Sequence, residues 1–182
     1  MRLTFTMLIA LMIIISGTAV AQQDGNGKID TVTLVSEQIS DNQWMVSVYL
    51  FNDEDIAALD IPLKYSAGVA KITLDSISYA GSRIEHFQQK YKPVENDMQT
   101  LRFGGLEIGP KAKPLKAGDG LIGKGYLTVE KGRNVDMITV DTATAKPAAT
   151  MMLSDVNAYT IIPALKIKNT KGEAKEEAKK LK

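Results

Sequence analysis

Cysteine is absent from this chain, and histidine and tryptophan occur once each. The first absence excludes a disulfide framework, a thiolate metal site, a thiol nucleophile and anchoring through a lipidated cysteine. With one histidine, His86, any metal site would depend on carboxylates, and no H-E-x-x-H spacing surrounds it. His86 reads as a surface or loop residue. A serine triad finds no G-x-S-x-G elbow, because Gly81-Ser82-Arg83 lacks the spacing. No pair of carboxylates is singled out for glycoside hydrolysis. The chain therefore reads as non-catalytic, with no cofactor and no metal. Aromatics make up only 6% of it, which tilts against a broad sugar-stacking surface. An excess of one charge is missing too. The 22 basic residues less Arg2, lost with a leader, leave 21 against 21 acidic ones. A neutral chain offers nucleic acid no electrostatic attraction.

Long hydrophobic runs are equally lacking. Met7 to Ile15 is apolar throughout but too short to span a bilayer. Preceded by Arg2 and followed by Ala19-Val20-Ala21, it reads as a signal peptide over residues 1–21, cleaved after Ala21. The mature protein is then exported to the periplasm, cell surface or medium, with no membrane span after cleavage. Residues 22–28 read as a linker, 29–168 as one β-sandwich domain, and 169–182 as a Lys/Glu-rich tail with Glu176 and Lys180 at helical spacing.

What the chain does have is alternation. Leu59, Ile61, Leu63 and Tyr65 fall on one face of an extended run, with Asp60, Pro62 and Lys64 on the other. Pro62 cannot donate to a ladder, so an edge position or a bulge is expected there. Further strands are expected near Asp30–Ser36, Trp44–Phe51, Val69–Leu74, Ile84–Phe87, Thr100–Leu106, Gly125–Val129, Met137–Thr142 and Tyr159–Ile167. Ile84–Tyr91 could instead hold a turn of helix. Turn residues such as Asn52-Asp53, Ala67-Gly68 and Gly118-Asp119-Gly120 separate most of these runs. Short strands at this spacing indicate an all-β sandwich. Gly120, Gly123 and Gly125 point to a bulge or a close backbone approach.

Candidate ligand-binding residues come from two patterns. The second strand carries Trp44, Val46, Val48 and Leu50 on one face and Met45, Ser47, Tyr49 and Phe51 on the other, so both faces are apolar enough to be covered. Trp44, Tyr49 and Phe51 of this strand, with Tyr126 of the Gly125–Val129 run, are candidate contact aromatics, Trp44 being better suited to core or rim packing. The second pattern is acidic. Asn52-Asp53-Glu54-Asp55 groups three carboxylates in one loop, with Asp53 and Asp55 as candidate polar-ligand residues. Asp24-Gly25-Asn26-Gly27-Lys28-Ile29-Asp30 looks like part of a calcium loop, but Lys28 takes a ligand position and Val35 stands where a bidentate Glu belongs, so it reads as linker.

Several of these segments together carry a resemblance. They are Gln43–Phe51 ending in Asn52-Asp53, Ile56–Tyr65, the ITLDSISYAGSRI run from Ile72 to Ile84, and Asp119-Gly120-Leu121-Ile122 before Tyr126–Val129. In this order they resemble a cohesin-like module, over most of Lys28 to Val129. Ser66 and the Leu-Thr-Val end of Gly125–Val129 depart from the pattern of many relatives. The resemblance implies a nine-strand jelly-roll sandwich related to bacterial cellulose-binding modules, and a dockerin-like protein partner outside the cell. Two further readings stand beside it: a carbohydrate-binding module with a polysaccharide partner, and a structural envelope protein with no discrete site.

Overall fold

A computed structural model describes residues 27–92, 94, 96–132, 135, 137–142 and 151–169. The expected signal peptide, most of the linker and nearly all of the Lys/Glu tail lie outside the described residues. Within them the chain is all β and contains no helix.

The strands are β1 (Thr31–Gln38), β2 (Gln43–Asn52), β3 (Ile56–Ser66), β4 (Ile72–Ser78), β5 (Gln89–Lys90), β6 (Thr100–Leu106), β7 (Gly118–Val129), β8 (Thr139–Thr142), β9 (Met152–Asp155), β10 (Thr160–Ile161) and β11 (Ala164–Asn169). They form two sheets. One runs β11-β1-β2-β7-β4 and the other β10-β9-β3-β6-β5, with β8 also paired to β3. All pairings are antiparallel except β1 with β11, where Thr31 lies beside Ala164 and Ser36 beside Asn169.

Period-two patterning sets the faces. Trp44, Val46, Val48 and Leu50 of β2 meet Leu59, Ile61, Leu63 and Tyr65 of β3 across the interior, and none exceeds 4% exposure. Each such side chain contributes roughly 1.5–3 kcal/mol by leaving water. Two glycines of β7 make room between the sheets. A Cβ at Gly123 would stand 2.7 Å from the Phe103 ring, and one at Gly125 would stand 2.8 Å from Leu101. The close approach expected from the glycine spacing is therefore a sheet-to-sheet contact. The bulge is present as well, where the β2–β7 register shifts between Val48 and Tyr49.

Several expected strands are relocated. Ile84 and Phe87 are buried while Glu85 and His86 between them are exposed, a spacing of three rather than two. Phe87 accordingly donates to the Ile84 carbonyl and Glu85 to Ser82, so this segment is a run of turns. Val69 is 95% exposed, and β4 begins three residues after it. The turn expected at Gly118-Asp119-Gly120 is instead the start of β7, which begins at Gly118. Tyr159–Ile167 divides into β10 and β11, while β5 and β9 were not foreseen. Nine expected strands thus become eleven among the described residues, within the sandwich.

Pro62 sits neither on a sheet edge nor in a bulge. The Tyr65 amide points to Gln99, on the β6 side of β3. By alternation the Pro62 nitrogen faces the opposite side, where among the described residues β9 pairs only as far as Asp60 and β8 only from Leu63. A missing donor is tolerated in that gap.

Candidate functional site

Three of the sequence-derived aromatics share the outer face of the first sheet. Because Val46, Val48 and Leu50 point inward, Tyr49 and Phe51 point outward, and Tyr126 of β7 does the same opposite Met45. All three are half-buried. Tyr49 stands opposite Leu121, and the Ser47–Lys124 pair separates this group from Tyr126. The fold therefore brings the tyrosines to one face but not into one cluster. Trp44 is corrected by the structure: at 1% exposure it lies in the core and cannot stack on a ligand. Its position in phase with Val46 and Val48 explains why.

Asp53 and Asp55 flank the turn between β2 and β3. Asp53, Glu54 and the buried Asp30 place one carboxylate oxygen each within 4.8 Å of one another. The two acidic segments recognised in the sequence thus converge, since Asp30 ends the first and Asp53 lies in the second. A hydrogen bond from the Glu54 carboxyl and the Lys28 amide, 2.5 Å from Oδ2, hold the Asp53 carboxylate below its ordinary range. The Asp53 amide in turn donates to Asp30 Oδ1 at 3.2 Å. These bonds tie the start of β1 to the end of β2. Asp55 pairs with Lys116 at 2.6 Å, and with the Lys116 side chain 77% exposed this pair contributes little to stability.

Arg83, outside the original candidates, organises the neighbouring loop. Its Nη1 donates to Leu50 O (2.8 Å), Asn52 Oδ1 (2.9 Å) and Gly118 O (3.1 Å), and its Nη2 donates to Lys116 O (2.5 Å). The side chain lies so close over Gly120 (φ +157°) that a Cβ there would approach Arg83 Cδ to 2.8 Å.

The second sheet offers a different surface. On its outer face Arg102 of β6 grips Asp60 of β3 through Nε and Nη2, each at 2.6 Å. The guanidinium carbon lies 5.1 Å from the Tyr91 ring centroid. The Asp60 hydrogen bond raises the Arg102 pKa further above its already high value. Tyr91 is itself anchored: its amide donates to Gly104 O, and its carbonyl accepts the Tyr79 hydroxyl at 2.6 Å. Burial pushes the Tyr79 pKa up to about 12. Ala58, Asp60, Tyr91, Arg102, Gly104 and Leu106 line a shallow depression of about 490 Å³. Met152, 42% exposed, stands opposite Asp60 on β9. Alternation had already put Asp60 on the polar face of its strand, but the pairing of Asp60 with Arg102 is fixed by the β3–β6 register, which no local pattern reveals.

No protein-family model matches the chain, and no curated protein sequence does. Solved structures do match. A Clostridium thermocellum cohesin from OlpA, in complex with a dockerin, superposes with a TM-score of 0.62 at 13% identity, covering 79% of this chain and 100% of that one. The third ScaC cohesin of Acetivibrio cellulolyticus, solved with the ScaB dockerin, gives a TM-score of 0.59 at 18% identity over 79% of this chain and 99% of its own. A non-cellulosomal cohesin from the archaeon Archaeoglobus fulgidus gives 0.54 at 15% identity, over 85% of this chain and 98% of that one. The fold is thus that of a cohesin-like β-sandwich domain. No helix among the described residues is long and apolar enough to cross a membrane.

Proposed function

We propose that this protein is an exported, non-catalytic binding module that docks a folded partner of the dockerin kind on the outer face of β9-β3-β6. The observation that carries this reading is the immobilised Arg102. Interface energy concentrates in a few Arg, Tyr and Trp residues, and side chains already fixed lose little entropy on binding. Arg102 is held by Asp60 on one side and by Tyr91 on the other, beside a depression floored by Gly104. The cohesin-like fold supports the choice of partner class, because two of the matched cohesins are described in complexes with dockerins. The competing surface is the outer face of the first sheet, with Tyr49, Phe51 and Tyr126.

The test is calorimetric titration of the purified protein with a panel of dockerins, accompanied by a polysaccharide panel. One-to-one binding to a dockerin, weakened by Arg102→Ala and untouched by Tyr49→Ala or Tyr126→Ala, is the expected result. Binding lost with the tyrosine variants instead would move the interface to the first sheet. Retention on a glycan with no dockerin bound would overturn the partner class.

A further inference from the structure

A second cavity, of about 870 Å³, opens between the turns around Arg83 and the loop that leads into β7, and shares no lining residue with the depression beside Arg102. Its walls are pinned from several sides. Leu115 exchanges both backbone hydrogen bonds with Ile56. The buried Glu107 carboxylate accepts the amides of Gln88 (2.6 Å) and Lys113 (3.3 Å). His86 Nε2 donates to the Lys113 carbonyl at 2.8 Å, and Arg83 holds the carbonyls of Lys116 and Gly118. The loop backbone is therefore engaged along its length, and its lysine side chains are left to face solvent.

The charge of this lining is only partly cancelled. The four groups that Arg83 bonds among the described residues are neutral: three carbonyls and the Asn52 amide oxygen. Burial works against its charge, and only Asp119 favours it. Among the described residues Nη2 makes one bond, so its second hydrogen can serve a ligand. Lys113 makes no side-chain ion pair among the described residues, and Lys116 is matched by Asp55 outside the lining. With Lys116 matched, two cations of the lining, Arg83 and Lys113, stand against one lining carboxylate, Asp119, with the buried Glu107 behind the loop. Alanine, proline and leucine residues of the loop supply apolar contact. Apart from the His86 imidazole the lining has no aromatic ring, so a sugar ring finds no stacking surface.

We propose that this cavity binds a carboxylate-bearing, acidic peptide segment of a partner protein. A half-buried guanidinium without a carboxylate contact gains a charge-assisted hydrogen bond when such a group enters. Preset walls keep the ordering cost of binding small.

The test is an NMR titration of the isotope-labelled full chain with hexaglutamate, with hexaglutamine and an oligogalacturonate as comparisons. Hexaglutamate alone is expected to shift the amides of residues 112–119 and the His86 ring, with an affinity that falls as salt rises. Lys113→Glu, a surface change that leaves the fold intact, is expected to weaken binding roughly tenfold or more. Arg102→Ala is expected to leave it unchanged, which separates this site from the docking face. Absence of these shifts, or shifts indifferent to Lys113→Glu, overturns the proposal. Binding of oligogalacturonate there without the peptide overturns it in favour of an anionic glycan.

Discussion

Arg102 holds both oxygens of Asp60 at 2.6 Å while it packs against Tyr91, so β3, β6 and the residue after β5 together present one rigid charged and aromatic group. The Arg102 side chain is 39% exposed, and its ion pair alone is worth little to the fold. Removing it should therefore separate stability from binding. Arg102→Ala is expected to lower stability by about 1 kcal/mol or less and to weaken a partner bound on this face by about 2 kcal/mol. Arg102→Lys is expected to restore the charge but not the affinity, because an ammonium cannot make the two-pronged contact. Calorimetry beside thermal melts checks both; equal losses in the two measurements would deny the arginine a binding role.

Ile61 is fully buried at the centre of β3, between Leu59 and Leu63. Ile61→Asp puts an unpaired carboxylate into the interior, a cost comparable with the whole stability of a domain, about 5–15 kcal/mol. The expected outcome is loss of the cooperative melt by circular dichroism. A wild-type melting temperature would mean that β3 faces the other way.

Gly125 leaves no space for even a methyl group, because Leu101 fills it from the opposite sheet. Gly125→Ala is expected to cost about 1–3 kcal/mol through overpacking. Adding Leu101→Val should recover part of that loss. Denaturant midpoints of the single and double variants measure the coupling, and simple additivity would place the strain elsewhere.

Tyr79 links stability to pH. Its pKa in the folded protein is raised from 10.0 to about 12 by burial. The hydroxyl therefore contributes stability that is complete below pH 10 and is lost as pH rises through about 12. Melting temperatures are expected to fall across that window, and Tyr79→Phe should fall less steeply. Tyr65, whose pKa burial also raises, keeps some slope in the variant. At neutral pH Tyr79→Phe should cost about 1–2 kcal/mol for the lost bond to the Tyr91 carbonyl. Parallel slopes would remove Tyr79 from the alkaline transition.

Period-two patterning made the two long central strands legible. The apolar faces Trp44–Leu50 of β2 and Leu59–Tyr65 of β3 are buried as the alternation expects, although Ser47 and Pro62 on the opposite faces are buried as well. The same rule failed at Ile84–Phe87, where two buried residues anchor consecutive turns. It also missed β5, only two residues long, and β9, whose MLSD sequence carries little pattern. Trp44 was ambiguous for another reason, since both faces of its strand are apolar and only the second sheet decides which one is interior. Asp60 and Arg102 lie 42 positions apart, and Arg83 works on carbonyls from two distant segments, Leu50 and Lys116–Gly118. Contacts of that kind depend on register and loop path, which local chemistry does not encode.

The parallel pairing of β1 with β11 has a mechanical consequence. The chain enters this pair at Thr31 and leaves it at Asn169, at opposite ends of two strands lying side by side. Tension applied through the flanking segments therefore slides the strands along each other and loads their evenly spaced hydrogen bonds together, rather than opening them one at a time from an end. A tether fixed at one end of the domain and a load carried at the other would find their resistance in this seam, which lies in the other sheet from the proposed docking face.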